Sequence, residues 1–254
     1  MNAPASKPPV RARTRGPVEL AFEACLTLVF MSLFAWFVGV SIEIAGHYTI
    51  WKGRGVEHAR HLVQQDMGYI AAAPRSLIVD DTLGFAQRIG RLVAMPFERL
   101  GVARWYARFN AASKQTPKKS AKASEAMEAG LRSASTSMGA HLSAWALMAM
   151  YIAQDVVLRL AVAVFALPAF VLACLIGVVD GLVRRDLRRW QGGRESSFVY
   201  HHAKRWAGWA LTGGFGLYLS WPFGGFNPAY MVLVFTVLVA ATLSTTVASF
   251  KKYV

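Results

Sequence analysis

Cysteine is nearly absent from this 254-residue chain: Cys25 and Cys174 are its two, each inside an uncharged apolar stretch. A disulfide framework is therefore not what holds it together, and neither thiol has the electropositive, exposed setting of a reactive one. Charge is scarce as well. Only 17% of residues are Asp, Glu, Lys or Arg, against about a quarter in ordinary soluble domains. Acids are the rarer sign, 14 against 28 Lys and Arg, for a formal net charge of +14. Strand-like alternation of useful length is missing, which points away from a β fold. What is abundant is apolar side chain, 55% of residues, gathered into uncharged runs. That clustering sets the class as a polytopic, all-α membrane protein. A basic excess would suggest nucleic acid in a soluble chain; here it is read as loops that set topology and meet anionic lipid.

Residues 1–23 form a Pro- and Ala-rich tail whose Lys7, Arg11, Arg13 and Arg15 hold it in the cytoplasm. Residues 24–42 are 19 without a charge, bracketed by Glu23 and Glu43, enough to cross about 30 Å of hydrocarbon as a helix. The run exceeds the roughly 7–15 apolar residues of a signal peptide, so it is read as an uncleaved first span. Residues 43–159 contain no span-length uncharged run and carry 15 Lys/Arg against nine acids. A segment that long escapes the positive-inside rule and is placed in the periplasm as a largely helical region. Within it, Val56, Ala59, Val63, Met67 and Ile70 mark an amphipathic helix over 55–70 that Pro74 ends. Asp80, Asp81 and Thr82 supply N-cap residues for a second helix, whose pattern Pro96 breaks. Phe97, Leu100, Trp105, Tyr106 and Phe109, interleaved with Arg99, Arg104 and Arg108, fit either a membrane-surface segment or aromatics packed into a small core. Residues 110–124 read as a linker.

Residues 160–179 form the second span, with Pro168 placed to kink it. Asp155 and Arg159, four apart just before it, can pair on one helix face near the outer interface. Residues 206–250 contain no charge, and as one helix would reach about 67 Å, twice what a bilayer needs. The turn at 221–228, with two prolines and two glycines, divides them into spans 206–223 and 229–250. The tail 251–254 then ends inside on Lys251 and Lys252. The threading is four spans with both termini in the cytoplasm. Small residues recur every fourth position in the spans: Gly208, Thr212, Gly216 and Ser220 in the third, Ala240, Ser244 and Ala248 in the fourth. Ala169, Ala173 and Gly177 repeat the device in the second, and Ala35 with Gly39 in the first. Such stripes let helix backbones approach, within one chain or between copies in a homo-oligomer. The uncharged runs offer no proton relay or ion pathway, which argues against a transporter.

The cytoplasmic loop 180–205 is the most distinctive segment. With Trp206 it holds seven Lys/Arg against three acids. Val183, Leu187 and Trp190 share a helix side surrounded by Arg184, Arg185, Arg188 and Arg189, which suits an inner-leaflet surface. Positive-inside topology does not require the run Arg194, Glu195, Ser196, Ser197, Phe198, Val199, Tyr200, His201, His202, so this run with Arg184 and Arg188 is read as a partner-docking surface. Ser197 and His201 lack an orienting acid and an oxyanion donor, so catalysis is not expected. His58 and His61 stand three apart with Glu57 before them, which is not the order of a zincin site; no metal and no cofactor are expected.

Residues 179–205 and 55–70 together resemble a family of integrating conjugative element membrane proteins, bacterial proteins encoded in conjugative transfer regions and carrying a domain of unassigned function. The resemblance runs from about Gly16 to the fourth span. It implies a non-enzymatic inner-membrane accessory component of conjugative DNA transfer by type IV secretion. The partners it implies are other transfer proteins, with the coupling ATPase among the candidates. Direct contact with nucleic acid is not expected, because no known DNA-binding motif is present. An oligomeric channel or translocation-pore subunit is the alternative, and a membrane enzyme using the outer histidines is a third reading.

Overall fold

In this computed structural model the described residues are 16–73, 76–113, 123–191, 213–221, 224 and 227–249. Among them every regular element is helical. The helices are α1 (Pro17–Tyr48), α2 (Gly55–Ala72), α3 (Thr82–Arg99), α4 (Val102–Ser113), α5 (Ala123–Phe165), α6 (Leu167–Trp190) and α7 (Pro228–Ala248). Residues 213–219 are also helical. Four helices are long and apolar enough to cross a membrane: α1 over Ala21–Tyr48, α5 over Gly130–Phe165, α6 and α7.

Helix ends follow local chemistry. Pro17 and Pro228 stand in the first turns of α1 and α7, where a missing N–H is harmless. The Asn227 side chain accepts from the Ala229 N–H at 2.9 Å, and Asp81 Oδ1 accepts from the Gly84 N–H at 2.8 Å. After α1 the chain turns back through Lys52 (φ 46°) and Gly53 (φ 86°). That turn lays Trp51 across Gly46, where a Cβ would fall inside the indole ring. Gly101 (φ 68°) separates α3 from α4. Ala73, extended at φ −72° and ψ 147°, closes α2 one residue before Pro74, as the steric clash with a following proline demands.

Several boundaries differ from the sequence expectation. Pro96 does not end α3, which continues to Arg99. Proline deletes one hydrogen bond to the Leu92 carbonyl, and Leu92 lies on the exposed face. Residues 110–113, expected in the linker, belong to α4; residues 114–122 lie outside the described residues. The helix leading to the second span is far longer than its apolar run, because α5 starts at Ala123. It breaks at Ala166, two residues before Pro168, so the expected span 160–179 crosses from α5 into α6.

α2, α3 and α4 wrap α5. Ala59, Leu62, Met148, Ile152 and Val156 form one core, with Trp36, Val40 and Ile44 of α1 against it. Ala94, Val102, Leu147 and Met150 form a second, joined by Phe97 and Tyr106. Ile70, Ala86 and Leu158 form a third nearer the α5–α6 break. The aromatic segment thus resolves largely in favour of packing. Phe97 and Tyr106 face α5, and Phe109 lies over Gly139, whereas Leu100 and Trp105 remain exposed.

α6 and α7 form the other region. A Cβ on Gly177 would lie 2.7 Å from the Ala240 carbonyl oxygen, and one on Gly181 equally close to that of Ser244. Both numbers rise together, so the two helices run parallel. The chain must recross the same thickness between them, and residues 213–219 lie antiparallel to α7, with Gly214 by Phe235 and Tyr218 clustered with Met231. Ala35 of α1 joins that cluster, and Gly216 faces Met31.

Candidate functional site

The two regions meet at a buried arginine. Arg159 on α5 is 5% exposed, with Asp155 on its own helix at 2% and Asp66 of α2 at 8%. Its Nε donates to Asp66 Oδ2 at 2.9 Å, and its Nη2 lies 2.9 Å from Asp155 Oδ2. Its Nη1 donates to the backbone carbonyls of Tyr218 at 3.0 Å and Trp221 at 2.7 Å. Those carbonyls end the helical residues 213–219, where a cation complements the partial negative charge of a helix C-terminus. The guanidinium also faces the Tyr218 ring, 6.0 Å from its centroid. One side chain thus ties α2, α5 and the segment before α7. Asp155 Oδ1 and the Tyr218 hydroxyl have no hydrogen-bond partner among the described residues. A cavity of about 10 Å³ between Asp66, Arg159 and Tyr218 has room for one water.

A second knot joins α1 to α2. Glu43, fully buried, accepts from His58 Nδ1 at 2.9 Å, and Trp51 stacks on the His58 ring with centroids 3.9 Å apart. His47 Nδ1 receives the Gly55 N–H at 3.2 Å. His58 thus turns toward Glu43, while His61 is exposed. Among the described residues no three His, Cys, Asp or Glu side chains converge as metal ligands. On α4, burial raises the Tyr106 phenol above its ordinary range, with Glu57 and then Tyr151 adding to the shift.

The spacing of Asp155 and Arg159 was readable as a pair, and the pair is formed. Asp66, Glu43 and His58 were not singled out as partners, since nothing local announces a contact across 93 residues, as from Asp66 to Arg159, or across the 15 that separate Glu43 from His58. The long apolar helices extend past the uncharged runs. Glu43, Asp155 and Asp180 lie within the long apolar helices, beyond the ends of the uncharged runs, and each is paired.

Of the expected docking residues, Arg184 is exposed and paired with Asp180 at 2.9 Å, and Arg188 Nη1 reaches the Ala248 carbonyl at 3.3 Å. Arg194, Glu195, Ser196, Ser197, Phe198, Tyr200, His201 and His202 lie outside the described residues, as do Gly208 and Thr212. Ser220 donates to the Gly216 carbonyl at 2.8 Å. Ala240, Ser244 and Ala248 face α6, where the Ser244 hydroxyl donates to Asp180 Oδ2 at 2.5 Å. A larger apolar cavity, about 350 Å³, lies between Ile70, Leu77, Val162, Phe165, Pro168 and Val232.

Residues 50–251 match the model of the DtrJ-like family, described as IncC plasmid conjugative DNA transfer protein DtrJ-like. The chain belongs to that family. It is a protein of conjugative DNA transfer, in keeping with the resemblance carried by residues 55–70 and 179–205. No curated protein and no solved structure matches it. The family match spans both helical regions and the Arg159 knot between them.

Proposed function

We propose that this chain is a non-enzymatic, multi-pass inner-membrane component of a conjugative DNA-transfer apparatus of the type IV secretion kind. It docks other transfer proteins on both sides of the membrane, through residues 180–205 inside and through the α2–α5 region outside. Family membership carries the reading. The interior supports it: Arg159, Asp66, Asp155, Glu43 and His58 are engaged with one another and with backbone carbonyls, as in a structural joint.

The parallel arrangement of α6 and α7 supports the threading. It puts the basic end of α6, with Arg184, Arg185, Arg188 and Arg189, on the same side as the C-terminal end of α7, which Lys251 and Lys252 follow in the sequence. Both ends are cytoplasmic by the positive-inside rule, and α2–α5 stand on the periplasmic side. The small-residue faces Gly177–Gly181 and Ala240–Ser244 meet within the chain, which favours an anchor over an oligomeric pore.

Replacing residues 194–202 with a Gly/Ser linker abolishes transfer from donor cells at unchanged membrane level. A photoreactive residue at Tyr200 captures a transfer protein such as the coupling ATPase. Unchanged transfer, or capture of lipid alone, would reduce the loop to a topology element.

A further inference from the structure

The unabsorbed feature of the molecule is the outer face of α3 and α4. Arg88, Arg91, Arg99, Arg104 and Arg108 are all exposed, and Glu98 is the sole acid in the two helices. None of the five arginines has an ion-pair partner among the described residues; Arg88 only donates back to the Gly84 carbonyl at 3.2 Å. On α3, Arg88, Arg91, Leu92, Met95 and Arg99 recur at helical spacing on one side. Leu92 is 62% exposed and Leu100 80%, and Trp105 on α4 is exposed as well. Arginine with methionine and an aromatic is the composition of a protein-binding face.

Three occupants can be set apart by chemistry. A lipid surface fits only the lower end, because α3 meets α5 at Gln154, which donates to the Gly90 carbonyl about 8 Å along the helix from Arg159, whereas Phe109 meets α5 at Gly139, about 30 Å away, so the face rises along α5 and does not lie flat on a membrane. A second copy paired through the same face would set these five arginines against themselves. Single-stranded nucleic acid would use the arginines but needs stacking platforms; Trp105 stands perpendicular to Phe109, and a nucleic acid would leave Leu92, Met95 and Leu100 without apolar partners. An acidic amphipathic helix satisfies both parts: carboxylates for the guanidiniums and apolar side chains for Leu92, Met95 and Leu100.

We infer that the α3–α4 face docks an acidic amphipathic helix of another transfer protein. This rests on the docking function proposed above and gives its outer half a chemistry. The test uses full-length protein in donor cells. Arg91→Glu with Arg99→Glu lowers transfer by about tenfold or more at unchanged membrane level, and Arg91→Lys with Arg99→Lys retains most of it. A photoreactive residue at Leu92 captures a transfer-encoded protein through an acid-rich segment, and the double Glu variant loses the adduct. Unchanged transfer in the Glu variant overturns the inference, as does capture of DNA, lipid or a second copy. Capture of a transfer protein from Tyr200 but none from Leu92 removes this surface alone and leaves the docking function standing.

Discussion

Phe30 on α1 and Leu92 on α3 are nearly equally exposed, 68% and 62%, yet they belong to regions built for different solvents. Around Phe30 the exposed large side chains are Phe22, Leu26, Val29, Leu33, Phe34 and Phe37, an apolar surface. Around Leu92 they are Arg88, Arg91 and Arg99, with Met95 among them. α5 makes the same point from inside. It is apolar enough to be counted among the four spanning helices, but half of its most apolar window is buried, against 11% in α1 and 17% in α6 and α7. Hydropathy alone does not separate a helix that faces lipid from one that α2, α3 and α4 enclose. Burial does.

The largest break in this comparison is expected at the joint. Arg159→Met leaves Asp66 and Asp155 buried without their cation and two carbonyls uncapped, a loss of about 3–5 kcal/mol. Thermal unfolding in detergent reads it, and adding Asp66→Asn and Asp155→Asn restores part of the loss. A change under about 1 kcal/mol would mean the two regions are not held together through this guanidinium. Next comes the matched pair of surface changes. Phe30→Asp opposes membrane integration by about 2.5–3.5 kcal/mol if it faces hydrocarbon, whereas Leu92→Asp stays within about 0.5 kcal/mol. The membrane-integrated fraction measures both, and equal effects would erase the distinction.

Gly177→Val tests the α6–α7 contact, where a Cβ already meets the Ala240 carbonyl. Overpacking there is expected to destabilise by about 1–3 kcal/mol, and Gly68→Val, with open space around its Cβ position, supplies a control for steric crowding. The smallest effect sharpens the water-facing side. Asp81→Ala removes the N-cap of α3 and costs about 1 kcal/mol, visible as faster hydrogen exchange in the first turn of α3. No change would show that packing on α5, and not the cap, holds that end.

Much of this was legible locally. The Asp81 cap, the spacing of Asp155 with Arg159 and the break ahead of Pro168 each depend on residues within four positions. The apolar face of α2 was visible in Val56, Ala59 and Ile70, but its most telling member, Asp66, gave no local signal, because its partner Arg159 is 93 residues away. Glu43 and Arg159 bounded uncharged runs and so served as markers of membrane edges, although both lie inside longer helices. A charge ends an uncharged run without ending a helix, and its burial depends on partners far away in sequence. The docking run 194–202 was the most distinctive stretch of sequence and lies outside the described residues, so its reading rests on the residues themselves.

The central claim is that apolar α6 and α7 face lipid while α2–α5 stand in water on the outer side. The most direct measurement is cysteine accessibility, with Cys25 and Cys174 replaced and single cysteines introduced by Val171→Cys, Val234→Cys and Leu92→Cys. In spheroplasts of cells that make this chain without the other transfer proteins, treated with a membrane-impermeant maleimide, the Leu92→Cys variant labels readily and the other two label only after detergent is added. Protection of Leu92→Cys, or labelling of Val171→Cys in the intact membrane, would contradict the account.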